Sequence, residues 1–379
     1  MERIYLDNAA TTCVCREAAD AALYAMTEAF GNPSSTHTLG REARALLESA
    51  RSDVSAALGC SAETLAFTSG GTESDNWAIA GAAQANFRVG KHMITSLAEH
   101  DAVRKSAALL EKQGWEITWL EPGIDGSVSV DAVEAALRPD TALVSLMLVN
   151  NETGGISDIQ AISQLLRAKN SRALLHTDAV QAFLKIPFRA KTLGADLISI
   201  SGHKIHAPKG IGALYIRSGL RLPPFHIGGS QENGRRAGTE SVPLIAAFGA
   251  AARIGTEKAN ESAAQMLHLR DHLIGQLSEQ LPDVHIIRGG APHILSISLP
   301  GYKSEVLMNY LEARNIFVSK SSACKKGARS HVLEALRLSA AQIDGTLRIG
   351  LSRFSSREDA DALVSALAQA RRELFPVLR

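Results

Sequence analysis

The run "ALVSLMLVN", residues 142–150, is apolar at every position except Ser145 until it stops at Asn150. A strand with one wet face would alternate, so continuous apolarity predicts a strand covered on both sides, as in a mainly parallel sheet sandwiched by helices. Runs of the same kind recur on either side: "TLAFTS" (64–69), "HMITS" (92–96), "ALLHTD" (173–178), "DLISIS" (196–201) and "GALYI" (212–216). Amphipathic stretches such as "DAVRKSAALLEKQG" (101–114) and "DIQAISQLLRAKN" (158–170) separate most of them. Upstream, "GREARALLESARSDVSAALG" (40–59) places Ala43, Leu46, Leu47, Ala50, Val54 and Leu58 on one helical face, with Gly59 as its stop. The pattern is that of a doubly wound α/β domain. After Pro243 an Ala-rich helical stretch, roughly 244 to 280, leads into "HILSISLP", the helix "SEVLMNYLEARN" and "TLRIGLSRF", which reads as a smaller α+β domain. The expected division is 14–250 for the large domain, with 1–13 and 251–379 forming the small one.

Bulk composition narrows the function classes. With 45% apolar residues, 21% charged residues and a formal charge of +1, the 379-residue chain favours neither disorder nor a polyelectrolyte partner, so no direct nucleic-acid role is expected. No membrane-spanning run is present, and "MERIYLDNAATT" lacks a basic-then-apolar leader, which predicts a soluble, cytoplasmic protein. Four cysteines, Cys13, Cys15, Cys60 and Cys324, form no disulfide framework and read as reduced thiols. The Cys13/Cys15 pair has no second cluster to complete a metal site, and no metal is expected.

In open α/β sheets ligands sit beyond the carboxyl ends of the strands, and the residues there are chemically rich. "SGGTESDN" (69–76) follows the first run, and its glycines and threonine open a helix whose backbone N–H groups can cradle a phosphate. Glu99-His100, Asn150-Asn151-Glu152 and Asp178 with Gln181 follow the next three, and Lys204 stands in "SGHKIHAPKG" after the fifth. A phosphate cradle, an imidazole, amides, a carboxylate and a lysine on one sheet edge match the needs of pyridoxal 5'-phosphate. That cofactor requires a lysine for its Schiff base, a carboxylate for its pyridine nitrogen and an anion site. Burial would lower the lysine pKa and favour the neutral, nucleophilic amine.

"YLDNAATT", "TSGGTESDN", "AEH", "NNETG", "HTDAVQ", "SGHKIHAPKGIGALY" and "GGSQENGRRAGTES" together resemble the cysteine desulfurases of the NifS/IscS type. These belong to the class V aminotransferase group of pyridoxal-phosphate enzymes of fold type I, and the resemblance runs from residue 4 to about 355. It implies that Lys204 carries the Schiff base, Asp178 pairs with the pyridine nitrogen and Gln181 bonds the phenolic oxygen. His100 would stack on the ring and move protons. Thr72, Ser201 and His203, with the Gly71 backbone, would hold the phosphate, and Asn151 would lie beside cofactor and substrate. Thr239 would reach the cofactor of a second subunit, implying a homodimer. Arg348, in "TLRIGLSRF", would grip the substrate carboxylate, a task suited to a bidentate guanidinium.

The reaction turns on "FVSKSSACKKGARSHVLEALRL" (317–338). Cys324 has Lys325, Lys326 and Arg329 nearby, and positive charge favours the thiolate that attacks sulfur. The resemblance implies that Cys324 takes sulfur from L-cysteine as a persulfide, leaving L-alanine, and passes it to an iron–sulfur scaffold or a tRNA-thiolation enzyme. Lys320-Ser321-Ser322-Ala323 precedes Cys324 where the family commonly has a glycine. Asn233 stands where arginine is frequent, and Ala237 replaces a common serine. Within the cofactor class the alternatives are a selenocysteine lyase or another C–S lyase. Outside it stands a sulfur-transfer scaffold protein.

Overall fold

The computed structural model describes residues 3–320 and 329–376. Strands β1 (Ile4–Tyr5), β2 (Leu65–Thr68), β3 (His92–Ser96), β4 (Glu116–Leu120), β5 (Thr141–Ser145), β6 (Leu174–Asp178), β7 (Leu197–Ser201) and β8 (Gly212–Ile216) precede β9 (His285–Ile287), β10 (Ile294–Ser298), β11 (Ile316–Phe317), β12 (Ser319–Lys320) and β13 (Thr346–Gly350). The central sheet runs β2-β8-β7-β6-β5-β3-β4; β8 is antiparallel to both neighbours and every other pairing is parallel.

Strand periodicity explains why the apolar runs do not alternate with polar residues. Ile94, Val144, Leu175 and Ile198 enter one buried cluster with Phe183 and Phe248. Their chain neighbours Met93, Leu143, Leu174 and Leu197 enter another with Trp77 and Ile79. Successive side chains point to opposite faces, and both faces are packed, so each position must be apolar. β4 was not among the expected strands. As an edge strand reading "EITWL", with only Leu120 fully buried, it carries a weaker apolar signal.

Local signals set the element ends. Gly59 caps the helix Thr38–Leu58 at φ 74°, a left-handed position that glycine occupies without a Cβ clash. Asp158 accepts from Ala161 N at 2.9 Å to cap the helix Ile159–Ala168. The Ala-rich helical stretch consists of two helices, Val242–Glu257 and Ala259–Gln280, with a break at Lys258 (φ −102°, ψ 3°). The first packs on Arg16–Thr27 and Thr38–Leu58, the second on Arg357–Glu373.

A four-stranded antiparallel sheet, β12-β13-β10-β9, backs onto Leu269, Leu273 and Leu277 of one helix and Leu363 and Leu367 of another. β1 joins this region by parallel pairing with β11, Ile4 opposite Ile316 and Tyr5 opposite Phe317. From there the segment after β1 crosses toward the large sheet. Asn8 Nδ2 donates to Gly350 O at 2.9 Å, Asp7 bridges Gly350, and Thr12 N donates to His203 O at 2.9 Å. A Cβ at residue 350 would stand 2.4 Å from Ala9 N, so only glycine lets this strap lie against β13. Among the described residues no helix is long and apolar enough to cross a membrane.

Candidate active site

The loops after β2, β3, β5, β6 and β7 meet around a cavity of about 660 Å³. Gly71, Thr72, His100, Asn151, Asp178, Gln181, Ser201, His203, Lys204 and Arg348 all line it. Sequence separation therefore vanishes at the sheet edge, as the topology of an open α/β sheet requires.

The helix Gly71–Ala85 starts directly at the cavity, following Gly70 at φ 152°. A Cβ on Gly71 would lie 2.7 Å from Val180 Cγ2, so the helix start has no room for a side chain and offers bare backbone N–H groups. With its dipole this forms an anion cradle. His100 caps the helix Asp101–Lys112: its Nδ1 accepts from Ala102 N at 3.1 Å, which leaves Nε2 as the ring nitrogen not used by the cap, and the residue lines the cavity.

Asp178 ends β6 and is buried, with Oδ1 accepting from Val180 N at 2.9 Å. Burial raises its pKa, so a cationic partner would be needed to hold it ionised. A protonated pyridine nitrogen is such a partner. Gln181 donates from Nε2 to Ala9 O at 2.8 Å, which orients the amide and still leaves an N–H of that group. Asn151 Oδ1 is buried with no hydrogen-bond partner among the described residues, and Asn151 lines the cavity.

Lys204 sits in the short turn Gly202–Lys204 after β7. Its Nζ donates to Ala9 O and Ala10 O, each at 2.7 Å. Burial, then the Arg348 charge, lowers its pKa to about 7, so neutral amine is plentiful at neutral pH. His203 meets Thr11 Oγ1 through Nδ1 at 3.2 Å and is brought to about 4 by burial, so it is a neutral hydrogen-bonding ring.

Several cavity residues had no sequence-level assignment. Asp75 lies three positions after Thr72 on the same helix face and reaches the cavity; that spacing was the available clue. Its carboxyl is buried 3.6 Å from His176 Nε2, and burial followed by Asp178 drives its pKa well up. Glu152, buried and bonded to Ser330, is brought to about 7 by burial. The Ala9 and Ala10 carbonyls leave no mark in residue type. Cys324 lies outside the described residues. Thr239 is exposed and is not among the described residues that line the cavity. Cys13 is exposed and Cys15 buried.

The donor set fits pyridoxal 5'-phosphate: an anion cradle at a glycine-led helix start, a buried carboxylate with a raised pKa, and a lysine with a depressed pKa, all on one cavity. A model of the aminotransferase class-V family matches residues 4–363. Cysteine desulfurase IscS of Methanosarcina thermophila is 42% identical, over 99% of this chain and 94% of its own. A solved NifS-like protein superposes with a TM-score of 0.92 at 34% identity, covering 98% of this chain and 100% of that one. SspA, solved in complex with cysteine, superposes at 0.80 and 31% identity over 94% of this chain and 100% of its own.

Proposed function

The chain belongs to the aminotransferase class-V family, and from that premise we propose that it is a pyridoxal-phosphate-dependent cysteine desulfurase. The enzyme converts L-cysteine to L-alanine and places the sulfur on Cys324 as a persulfide. The balance is closed: the substrate C–S bond breaks, an S–S bond forms at Cys324, and a proton replaces sulfur on the substrate carbon. The observation that carries the reading is the meeting of Lys204, Asp178, His100 and the Gly71–Thr72 helix start around one cavity.

When bound, pyridoxal 5'-phosphate supplies an aldehyde and an electron-withdrawing ring. Asp178 would face its pyridine nitrogen, Gln181 its phenolic oxygen, and Thr72, Ser201, His203 and the Gly71 backbone its phosphate. His100 would cover the ring face and carry a proton on Nε2. Lys204, with a pKa near neutrality, is suited to taking a proton from the substrate α-carbon and returning one. Arg348, buried beside Asn151, would hold the substrate carboxylate.

Residues 14–250 are read as the cofactor-binding unit, with 1–13 and 251–379 as the smaller one. A homodimer is supported by apolar side chains left in water: Leu23, Tyr24, Met26 and Phe30 are each more than half exposed, and Ile227 is 95% exposed beside the Gly228–Ser241 loop. Exposed Thr239 on that loop would serve the cofactor of a second copy. We assign the enzyme to the cytoplasm and its sulfur to an iron–sulfur scaffold or a tRNA-thiolation enzyme.

The test is mass spectrometry of the purified enzyme given the cofactor and L-cysteine. L-Alanine should appear with an added sulfur on Cys324. Cys324→Ser should bind L-cysteine yet form no L-alanine with sustained turnover; continued turnover by that variant would exclude the persulfide route.

A further inference from the structure

We propose that Asp7 is the positioning residue of the substrate-carboxylate clamp: with Ser319 it fixes the Arg348 guanidinium at the angle that meets the carboxylate of an α-amino acid. The inference rests on the reading of Arg348 given above. Asp7 follows β1, Ser319 lies on β12 and Arg348 on β13, where Ser319 and Arg348 are register partners. Asp7 Oδ1 accepts from Ser319 Oγ at 2.7 Å and from Arg348 Nη2 at 3.2 Å. Nη2 also donates to Ser319 Oγ at 3.0 Å, closing a three-membered ring, and Nη1 donates to Asn151 O at 2.9 Å.

This arrangement has the features of a mount rather than a finished salt bridge. Arg348 is only 4% exposed, so its charge needs a partner to remain buried. Asp7 supplies one through a single nitrogen and keeps a side chain 21% exposed to solvent, which weakens its neutralising effect. Arg348 Nε is buried with no acceptor among the described residues, on a guanidinium that borders the cavity. The planar fork reads a carboxylate well only when its orientation is set, and Asp7, Ser319 and Asn151 O fix it through both Nη atoms. The same two charges act on Lys204 in opposite directions, Arg348 lowering and Asp7 raising its pKa, which puts the clamp next to the reacting amine.

A competing role is conceivable on charge alone: Asp7 could occupy the clamp and have to be displaced by substrate. The two roles predict opposite signs. Holoenzyme variants Asp7→Asn, Ser319→Ala and Arg348→Ala are titrated with L-alanine, which carries the carboxylate but no thiol, and assayed for KM and kcat with L-cysteine. Asp7→Asn, isosteric but uncharged, should weaken L-alanine binding about tenfold and raise KM by a similar factor, with kcat changed less than about twofold. Ser319→Ala, losing a neutral hydrogen bond, should weaken binding about threefold. Affinity of the cofactor-free variants for pyridoxal 5'-phosphate, compared well above the Lys204 midpoint where the amine is neutral in each, should match the parent, because the hydrogen-bond ring touches none of the phosphate or pyridine positions. Unchanged or tighter L-alanine binding in Asp7→Asn overturns the proposal, as does a parallel loss of cofactor affinity. If Arg348→Ala also leaves L-alanine binding unchanged, the reading of Arg348 fails first and the proposal with it. Should Asp7→Asn not fold, Ser319→Ala decides, and no weakening there overturns the assignment.

Discussion

Two walls of the cavity are built on different principles. One is the edge of the large sheet, where Asp178 ends a strand and Thr72, His100 and Lys204 each follow the carboxyl end of one. The other is the strap after β1, which offers Lys204 two backbone carbonyls and joins Asp7 to Ser319 and Arg348 across more than three hundred residues of sequence. The first wall carries reactive side chains on a rigid scaffold. The second sets where those side chains and the substrate can sit, largely through main-chain atoms and one carboxylate. Chemistry and placement are thus divided between a locally encoded part and a part assembled only by long-range packing.

Removing the reactive group of the first wall should have the largest effect. Lys204→Ala loses both the amine that engages the cofactor aldehyde and the proton carrier, and L-alanine formation should fall roughly a thousandfold or more. Residual turnover near the parent rate would mean that another group does this work, and the contrast between the walls would lose its basis.

Gly350→Ala attacks the second wall without touching a reactive group. Its Cβ would stand 2.4 Å from Ala9 N and 2.9 Å from Asn8 N, both main-chain atoms that cannot step aside. Overpacking of this kind should cost about 2 kcal/mol in denaturant unfolding, and the strap should exchange its amide protons faster. Parent-like stability would show that the strap yields more easily than its packing implies.

The smallest effect sharpens which wall governs Lys204. Burial and Arg348 depress its pKa to about 7, while Asp7 and Asp178 oppose that shift. A depressed lysine pKa makes the neutral amine the rising species as pH passes through that value. Capture of pyridoxal 5'-phosphate by the cofactor-free enzyme should therefore accelerate about tenfold between about pH 6 and pH 8. A midpoint near the ordinary lysine value of about 10.4 would instead mean that the Ala9 and Ala10 carbonyls hold the ammonium against desolvation.

Much of the first wall was legible because strand ends mark themselves. Apolar runs stop abruptly at Asn150, Asp178 and Ser201, and polar residues placed just there have few structural reasons to exist. Asp75 was hidden because a carboxyl early in a helix also reads as a dipole partner. β4 was hidden by its edge position. The break at Lys258 was hidden because alanine and leucine favour helix on both sides of it.

Residue type and spacing by themselves determined the α/β class, the strand ends and the set of groups that one cofactor could use, because burial on both faces of a sheet leaves a periodic trace. Only the tertiary structure decided that Ala9 and Ala10 present carbonyls to Lys204, that Gly350 must lack a side chain, and that Asp7 shares a hydrogen-bond ring with Ser319 and Arg348. Backbone acceptors are identical at every residue, and contacts between distant segments obey no period, so neither leaves a signal in the chain until packing brings the atoms together.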